Sequence, residues 1–405
     1  MKMKKRNIAV LSVVCAGIAG SALAADNNYR SYPMMYMTLP DTKEKTFNVA
    51  GLVEPIFVTS TSRDVADGKD YQNNFSFDRL RVGFNGSFSE NLDYFFMSEW
   101  APNAVTKSTG GGANAFIAQA TFKKVFGTAN LGVGSMVVPM GLSYYAPTTH
   151  VPWITYADIE YNLYGAGSIN GAQDITGVDP SGNSIRPNVN QFSNIWKPGI
   201  MLFDQHKLDN GGSLTYTAGI YNTTGTAFSD NTTKQKDFNG TLEYKQGNLL
   251  AMYGTRIGNT TESNPGGKER SRVRHAVTLV YNDFKKDKWW LWAEYMHAKD
   301  EQDKTLNQAD LKADGFFVAA GFRPTPKFEL VARHSQFDRD KDSNDSTRKV
   351  NSLIANYTRN DGIRIQAQFN KASEDNWTKA TRANTVYPND TFVMRFSVPI
   401  SAKLK

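Results

Sequence analysis

In "DRLRVGFNGSFSENLDYFFMSEW", residues 78–100, Arg79 and Arg81 alternate with Leu80, Val82 and Phe84. After "SENL" the alternation resumes, with Tyr94 and Phe96 on one parity and Asp93 and Glu99 on the other. A guanidinium keeps its charge at any relevant pH and offers forked donors to a carboxylate or a phosphate. Followed along the chain, the same parity collects Arg79, Arg81, Lys123, Arg256, Arg272, Arg274, Arg323, Arg333, Arg364 and Arg395. It also collects the carboxylates Asp93, Glu99, Asp237, Glu243, Glu294 and Glu329. The chemistry available to such a set is attraction of small anions along a charge-lined surface. The plainer alternative is that the arginines only neutralise the carboxylates beside them.

Covalent and metal chemistry find little support. His150, His206, His275, His297 and His334 are scattered, and none stands in a nucleophile motif. "DRDKDSND" (338–345) opens like a calcium loop, but Ser343 stands where glycine is needed and Lys349 where a bidentate glutamate belongs. "GKERSRVRH" (267–275) has the look of a nucleic-acid patch, yet Arg272 and Arg274 fall on the inward parity. No phosphate-loop or dinucleotide fingerprint occurs, so neither a cofactor nor a nucleic-acid partner is expected.

The elements that must carry these residues are strands. Alternating segments of about 10–13 residues recur, with no helical periodicity of useful length. They are separated in turn by short and long gaps. The short gaps, 89–92, 126–130, 208–212, 245–248, 285–288, 324–327 and 359–362, carry the Gly, Asn, Asp and Pro chemistry of tight hairpins. The long gaps, roughly 59–73, 101–113, 139–194, 222–236, 258–271, 299–311, 338–347 and 373–389, are polar. This spacing predicts an all-β, antiparallel transmembrane barrel of about sixteen strands, with short periplasmic turns and long external loops. A sheet in hydrocarbon must close because an unpaired edge finds no water. Mean hydropathy is −0.48 although 12% of residues are aromatic, as strands greasy on one face require.

Lipid outside and water inside accounts for the opening pattern. Leu80, Val82, Phe84, Tyr94 and Phe96 are expected to face lipid. Folding the hairpin about Glu90 pairs 88 with 92 and brings Arg81 opposite Glu99. Directly opposed charges stabilise a sheet by ~0.2–1 kcal/mol. An arginine on the lipid face near the midplane costs ~2–4 kcal/mol instead. That difference sets the register.

Residues 1–24 read as a secretory signal peptide: Lys2, Lys4, Lys5 and Arg6, an apolar run from Ile8, then Ala22-Leu23-Ala24. Val14 before Cys15 argues against a lipoprotein. Cleavage removes Cys15, the single cysteine, and takes the formal charge from +7 to +3 by loss of the four cations. So small an excess gives no support to nucleic-acid binding. Residues 25–45 read as an N-terminal periplasmic segment and 46–405 as the barrel. The gap at 139–194 is far longer than a hairpin needs. It is expected to fold inward as a constriction, with Asp158 and Glu160 facing the arginine wall and its aromatics giving apolar walls. The alternative is an external cap.

The hairpin "FSFDRLRVGFNGSFSENLDYFFMSEW" resembles the hairpin near the start of the phosphate-selective porin family, porins O and P. "NLGVGSMVVPMGLSYY" (130–145) is similar to that family's strand with a Gly-x-x-x-x-Pro-x-Gly exit, here Gly134, Pro139 and Gly141. The likeness is plain over roughly 75–160. It implies a sixteen-stranded trimeric porin of the bacterial outer membrane, in contact with lipid and lipopolysaccharide and passing small anions. In that family an Arg- and Lys-rich inward loop carries phosphate selectivity. Here the matching loop has Arg186 beside Asp158, Glu160, Asp174 and Asp179. The expectation is therefore passive diffusion of small hydrophilic solutes with moderate anion preference and no turnover. A phosphate or polyphosphate channel and an occluded adhesion barrel are the alternatives.

Overall fold

The computed structural model describes residues 45–61, 71–101, 114–146, 150–155, 177–178, 184–185, 196–222, 236–261, 269–301, 310–338, 341–342, 347–374 and 390–404. The expected signal peptide and most of the N-terminal segment lie outside the described residues, as do Asp158, Glu160 and Arg186. In chain order the strands begin with β1 (Thr46–Thr61), β2 (Tyr71–Ser89), β3 (Leu92–Glu99), β4 (Asn114–Phe126) and β5 (Ala129–Val137). Two short strands, β6 (Gly177–Val178) and β7 (Ser184–Ile185), pair only with each other. Then come β8 (Trp196–Lys207), β9 (Ser213–Asn222), β10 (Lys236–Gln246), β11 (Leu249–Thr261) and β12 (Glu269–Tyr281). The chain ends with β13 (Trp289–Asp300), β14 (Leu311–Thr325), β15 (Phe328–Asp338), β16 (Thr347–Thr358), β17 (Arg364–Glu374) and β18 (Asp390–Leu404).

All but β6 and β7 form one closed antiparallel barrel of sixteen strands, sealed where β1 pairs with β18. Each barrel strand pairs with its sequence neighbour, so the topology needs only hairpins. All seven short gaps are the tight turns. Gly127 and Gly362 have φ of 79° and 84° there, a region that a side chain disfavours.

Exposure alternates as a two-sided wall demands. On β15 the exposed Leu330 and Ala332 alternate with the buried Glu329, Val331 and Arg333. Val82, Phe84, Leu242, Leu353, Phe369 and Phe396 stand exposed on the outside, where hydrocarbon rather than water receives them.

The register shifts at five places around the barrel, and three departures from simple parity bear on the site. Arg81 does pair with Glu99, but Phe88 does not pair with Leu92. Leu92 faces Ser89 and the ladder shifts between Ser87 and Ser89. A second shift lies on β2, where Glu54 pairs with Arg79 and Pro55 with Phe77. Pro55 has no N–H for the ladder, which makes that position a natural place for a bulge. Asp78 is the extra residue, and both Asp78 and Arg79 are buried.

The third departure concerns the inner face. Parity was read only for the charged residues of the inner face, Glu294 of β13 among them, yet β13 and β14 also turn Trp290, Trp292, Met296 and Phe317 inward. Trp292 lies in a run, "WWLWAEYM", that is apolar on both faces. A wall segment covered on both sides loses its alternation.

Candidate functional site

The cover on that apolar wall comes from residues 138–146 and 150–155, the described part of the long connection after β5. Val138 to Met140 leave the strand, and Leu142–Tyr145 form a single helical turn. Met140, Leu142, Tyr145, Val151 and Trp153 join one buried cluster with Met252, Val280, Trp292 and Phe317 of the wall. The Trp153 ring centroid lies 4.9 Å from Trp292 and 5.2 Å from Phe317. The Arg333 guanidinium sits 5.1 Å from the Trp153 centroid, over its ring. Such a stack favours the cation through the ring's negative face.

Irregular backbone inside a barrel must still satisfy its polar groups. Wall side chains do this. Gln368 Oε1 accepts from the Ile154 N–H at 2.7 Å, and Gln368 Nε2 donates to Thr155 Oγ1 at 2.6 Å. Asn356 Nδ2 donates to the Pro152 carbonyl at 2.8 Å, and Arg364 Nη1 donates to the Val151 carbonyl at 2.9 Å. On the other side the Ser143 hydroxyl donates to Glu294 Oε1 at 2.7 Å. Near the start of the segment Asn239 Nδ2 donates to the Pro139 carbonyl. These partners come from β10, β13, β16 and β17, all from buried positions. A segment that touches so many strands on that face lies within the barrel.

The charged residues anticipated from parity are all on the buried face, but most are sunk in it rather than bathed. Arg79 pairs with Glu54 at 2.6 Å, Arg81 with Glu99 at 2.8 Å and Lys123 with Asp93 at 3.2 Å. Asp237 takes both Arg256, whose Nε donates at 3.0 Å, and Arg272 at 3.6 Å. Arg274 Nη2 donates to Asp300 at 3.0 Å, and Arg323 pairs with Glu329. Arg395 reaches Asp78 at 2.9 Å and donates to Gln366 Oε1 at 2.7 Å. A buried charge is tolerated only when paired and hydrogen-bonded.

Exposure separates these pairs into two groups. The Arg81 and Arg323 side chains are 14% and 13% exposed, against 7% for Arg79, 2% for Arg256 and 0% for Arg274. Beneath Arg81, Glu99 is 0% exposed and also accepts from the backbone N–H groups of Leu80 at 2.7 Å and Ala101 at 3.2 Å. The cation is thus the more exposed member of the pair, and the carboxylate lies covered.

Sequence reasoning missed Glu54, Asp78, Asp300, Gln366 and Gln368. Glu54 carries a signal, since it alternates with Leu52 and Ile56 on the inward parity of β1. Asp78 carries only an indirect one, the proline across the ladder. Among the described residues no group of His, Cys, Asp and Glu side chains is arranged to hold a metal.

A closed sixteen-stranded barrel, apolar outside and holding charged residues and an inward segment, defines a porin-type channel of the bacterial outer membrane. The phosphate-selective porin O and P profile matches residues 59–399, and the chain belongs to that family. Solved structures share the fold. An anion-selective porin from Comamonas acidovorans superposes with a TM-score of 0.59 at 14% identity, covering 89% of this chain and 100% of that one. OmpT of Vibrio cholerae, in its trimer form, gives 0.56 at 14% identity over 88% and 99%. The channel DcaP of Acinetobacter baumannii gives 0.53 at 10% identity over 89% and 100%. No curated protein matches the sequence.

Proposed function

We propose that this porin passes small hydrophilic solutes by passive diffusion, without turnover, and with a moderate preference for anions. The carrying observation is the order of exposure at Arg81 and Glu99. The guanidinium reaches the lumen while the carboxylate is fully covered and turns its charge toward backbone N–H groups. The preference is moderate because arginines and carboxylates along the described inner wall nearly balance. The anion-selective relative and the family's description both support the sign. Residues 1–24 serve in this reading as the export signal, and 25–45 as a periplasmic segment. Three barrels assemble, as the trimer form named for OmpT supports, and they stand in contact with lipid and lipopolysaccharide. Within the lumen, the connection spanning 139–194 narrows the passage, and Asp158 and Glu160 oppose the arginine wall.

The test is reversal potential of the purified protein in a KCl gradient across a planar bilayer. The expected result is ohmic steps and a reversal potential of the sign given by excess chloride flux. Phosphate added to the chloride solution distinguishes the phosphate channel, in which it blocks the steps. A potassium-selective sign overturns the proposal, and a barrel without steps is an occluded one.

A further inference from the structure

Beside Arg81 the inner wall carries an apolar patch that the arginine pattern does not account for. Phe95 and Met97 of β3 pair with Asn85 and Gly83 of β2, on the same face as Arg81. With Val137 and Trp196 they pack around buried Ile117. All four remain half-exposed, and Val137 and Trp196 also border the cluster in which Trp153, Trp290 and Trp292 are fully covered. The Arg81 guanidinium carbon stands 5.8 Å from the centre of the Trp196 ring. Glu99 fixes it there through Nε at 2.8 Å.

Half-exposed apolar side chains in a water-filled passage cost free energy unless something covers them part of the time. The patch is small, lies on paired strands and has a cation at its edge. A solute that fits it has an apolar body and a negative end. A hydrated inorganic anion uses only the cation. A sugar uses neither. Resting on the channel reading above, we propose that Arg81, Trp196, Phe95 and Met97 form a subsite for small organic carboxylates that bear a ring or an alkyl group. The carboxylate lies toward the guanidinium and the apolar part lies over Phe95, Met97 and the Trp196 ring.

The probes are benzoate and acetate as potassium salts, each set against KCl in bi-ionic reversal-potential measurements. Benzoate is the larger and slower ion, so a plain aqueous pore favours acetate. The subsite predicts a benzoate-to-acetate permeability ratio above unity. Trp196→Ala lowers it by about two- to fivefold, the factor that corresponds to loss of one cation–ring and apolar contact. Phe95→Ala lowers it in the same direction and decides between the outcomes if Trp196→Ala does not insert. Phe369→Ala, on the outer face, leaves it unchanged. A ratio below unity in the unsubstituted protein, or one that neither inner-wall substitution moves, overturns the subsite while the KCl steps persist. Absence of KCl steps overturns the channel reading itself.

Discussion

Asp78 and Arg395 lie 317 positions apart in sequence and meet at 2.9 Å inside the barrel wall. Asp78 belongs to β2 and Arg395 to β18, the two strands that flank β1 at the closure. Glu54 of β1 lies between them, held by Arg79 at 2.6 Å and by the Ser397 hydroxyl. The seam that turns a sheet into a cylinder is thus fastened by a buried four-charge network as well as by its backbone ladder. Breaking one member of a buried pair costs about 3–5 kcal/mol, because the partner charge is left uncompensated. Arg395→Met is expected to lower stability by that order in urea unfolding of the folded barrel in detergent. Asp78→Asn, which keeps the shape and one acceptor, costs less. An equal, small effect of both substitutions gives the closure to the ladder alone.

Much of this barrel was legible because its governing constraint has a period of two. Turn residues marked all seven hairpins, and the parity of Arg81 and Glu99 predicted their pairing. What escaped depended on contacts distant in sequence. Asp78 joined the inner face only because Pro55, on another strand, removes a ladder donor and shifts the register. Trp290 and Trp292 were unreadable as inner-wall residues because the segment that covers them, around Trp153, is more than a hundred positions away. Most of the charges anticipated from parity have buried side chains, but parity holds no information about depth. It could not separate Arg81, at the water, from Arg274, beneath the surface.

That separation predicts a division of effects. Arg81→Glu reverses a charge that permeating ions meet, and at short range in water one unit charge is worth about 1 kcal/mol. The chloride-to-potassium permeability ratio should fall by about two- to fivefold. Arg274→Gln removes a covered charge paired with Asp300, so its cost falls on stability, by about 3–5 kcal/mol. Its reversal potential in a KCl gradient should stay close to that of the unsubstituted protein. A larger selectivity change from Arg274→Gln than from Arg81→Glu would reverse the assignment.

Trp153 is the main apolar anchor of the inward segment, stacked against Trp292 and Phe317 under the Arg333 guanidinium. Trp153→Ala should cost about 3–5 kcal/mol of packing. The ladder lies outside that cluster, so the loss is expected to free the segment before it opens the barrel. Single-channel recordings should then show a larger conductance with added open-channel noise. Gly254→Ala reaches the same end differently, since its new Cβ would collide with the Met140 carbonyl. Agreement of the two variants identifies the segment as the element that narrows the passage, and unchanged conductance in both places the narrowing elsewhere.

His150 gives the inward segment a pH dependence. It lies in the loop, half-buried, with Lys285 and Arg364 as cationic neighbours and Asp283 as an acidic one. Burial, followed by those two cations and only partly opposed by Asp283, lowers its pKa from 6.5 to about 4. The folded state therefore binds this proton less readily than the unfolded state does. Its contribution to stability is complete above about pH 6.5 and is lost progressively as pH falls toward 4. The protein should melt at a lower temperature at pH 4.5 than at pH 7.5. Other groups also titrate in that window, so the informative quantity is a difference. His150→Gln removes the titrating group, and its melting temperature should fall less between the two pH values than that of the unsubstituted protein. Single-channel noise should follow the same order, because the proton is taken up where the segment meets the turn before β13. Equal drops in both proteins would show that His150 is not the group through which acid loosens the segment.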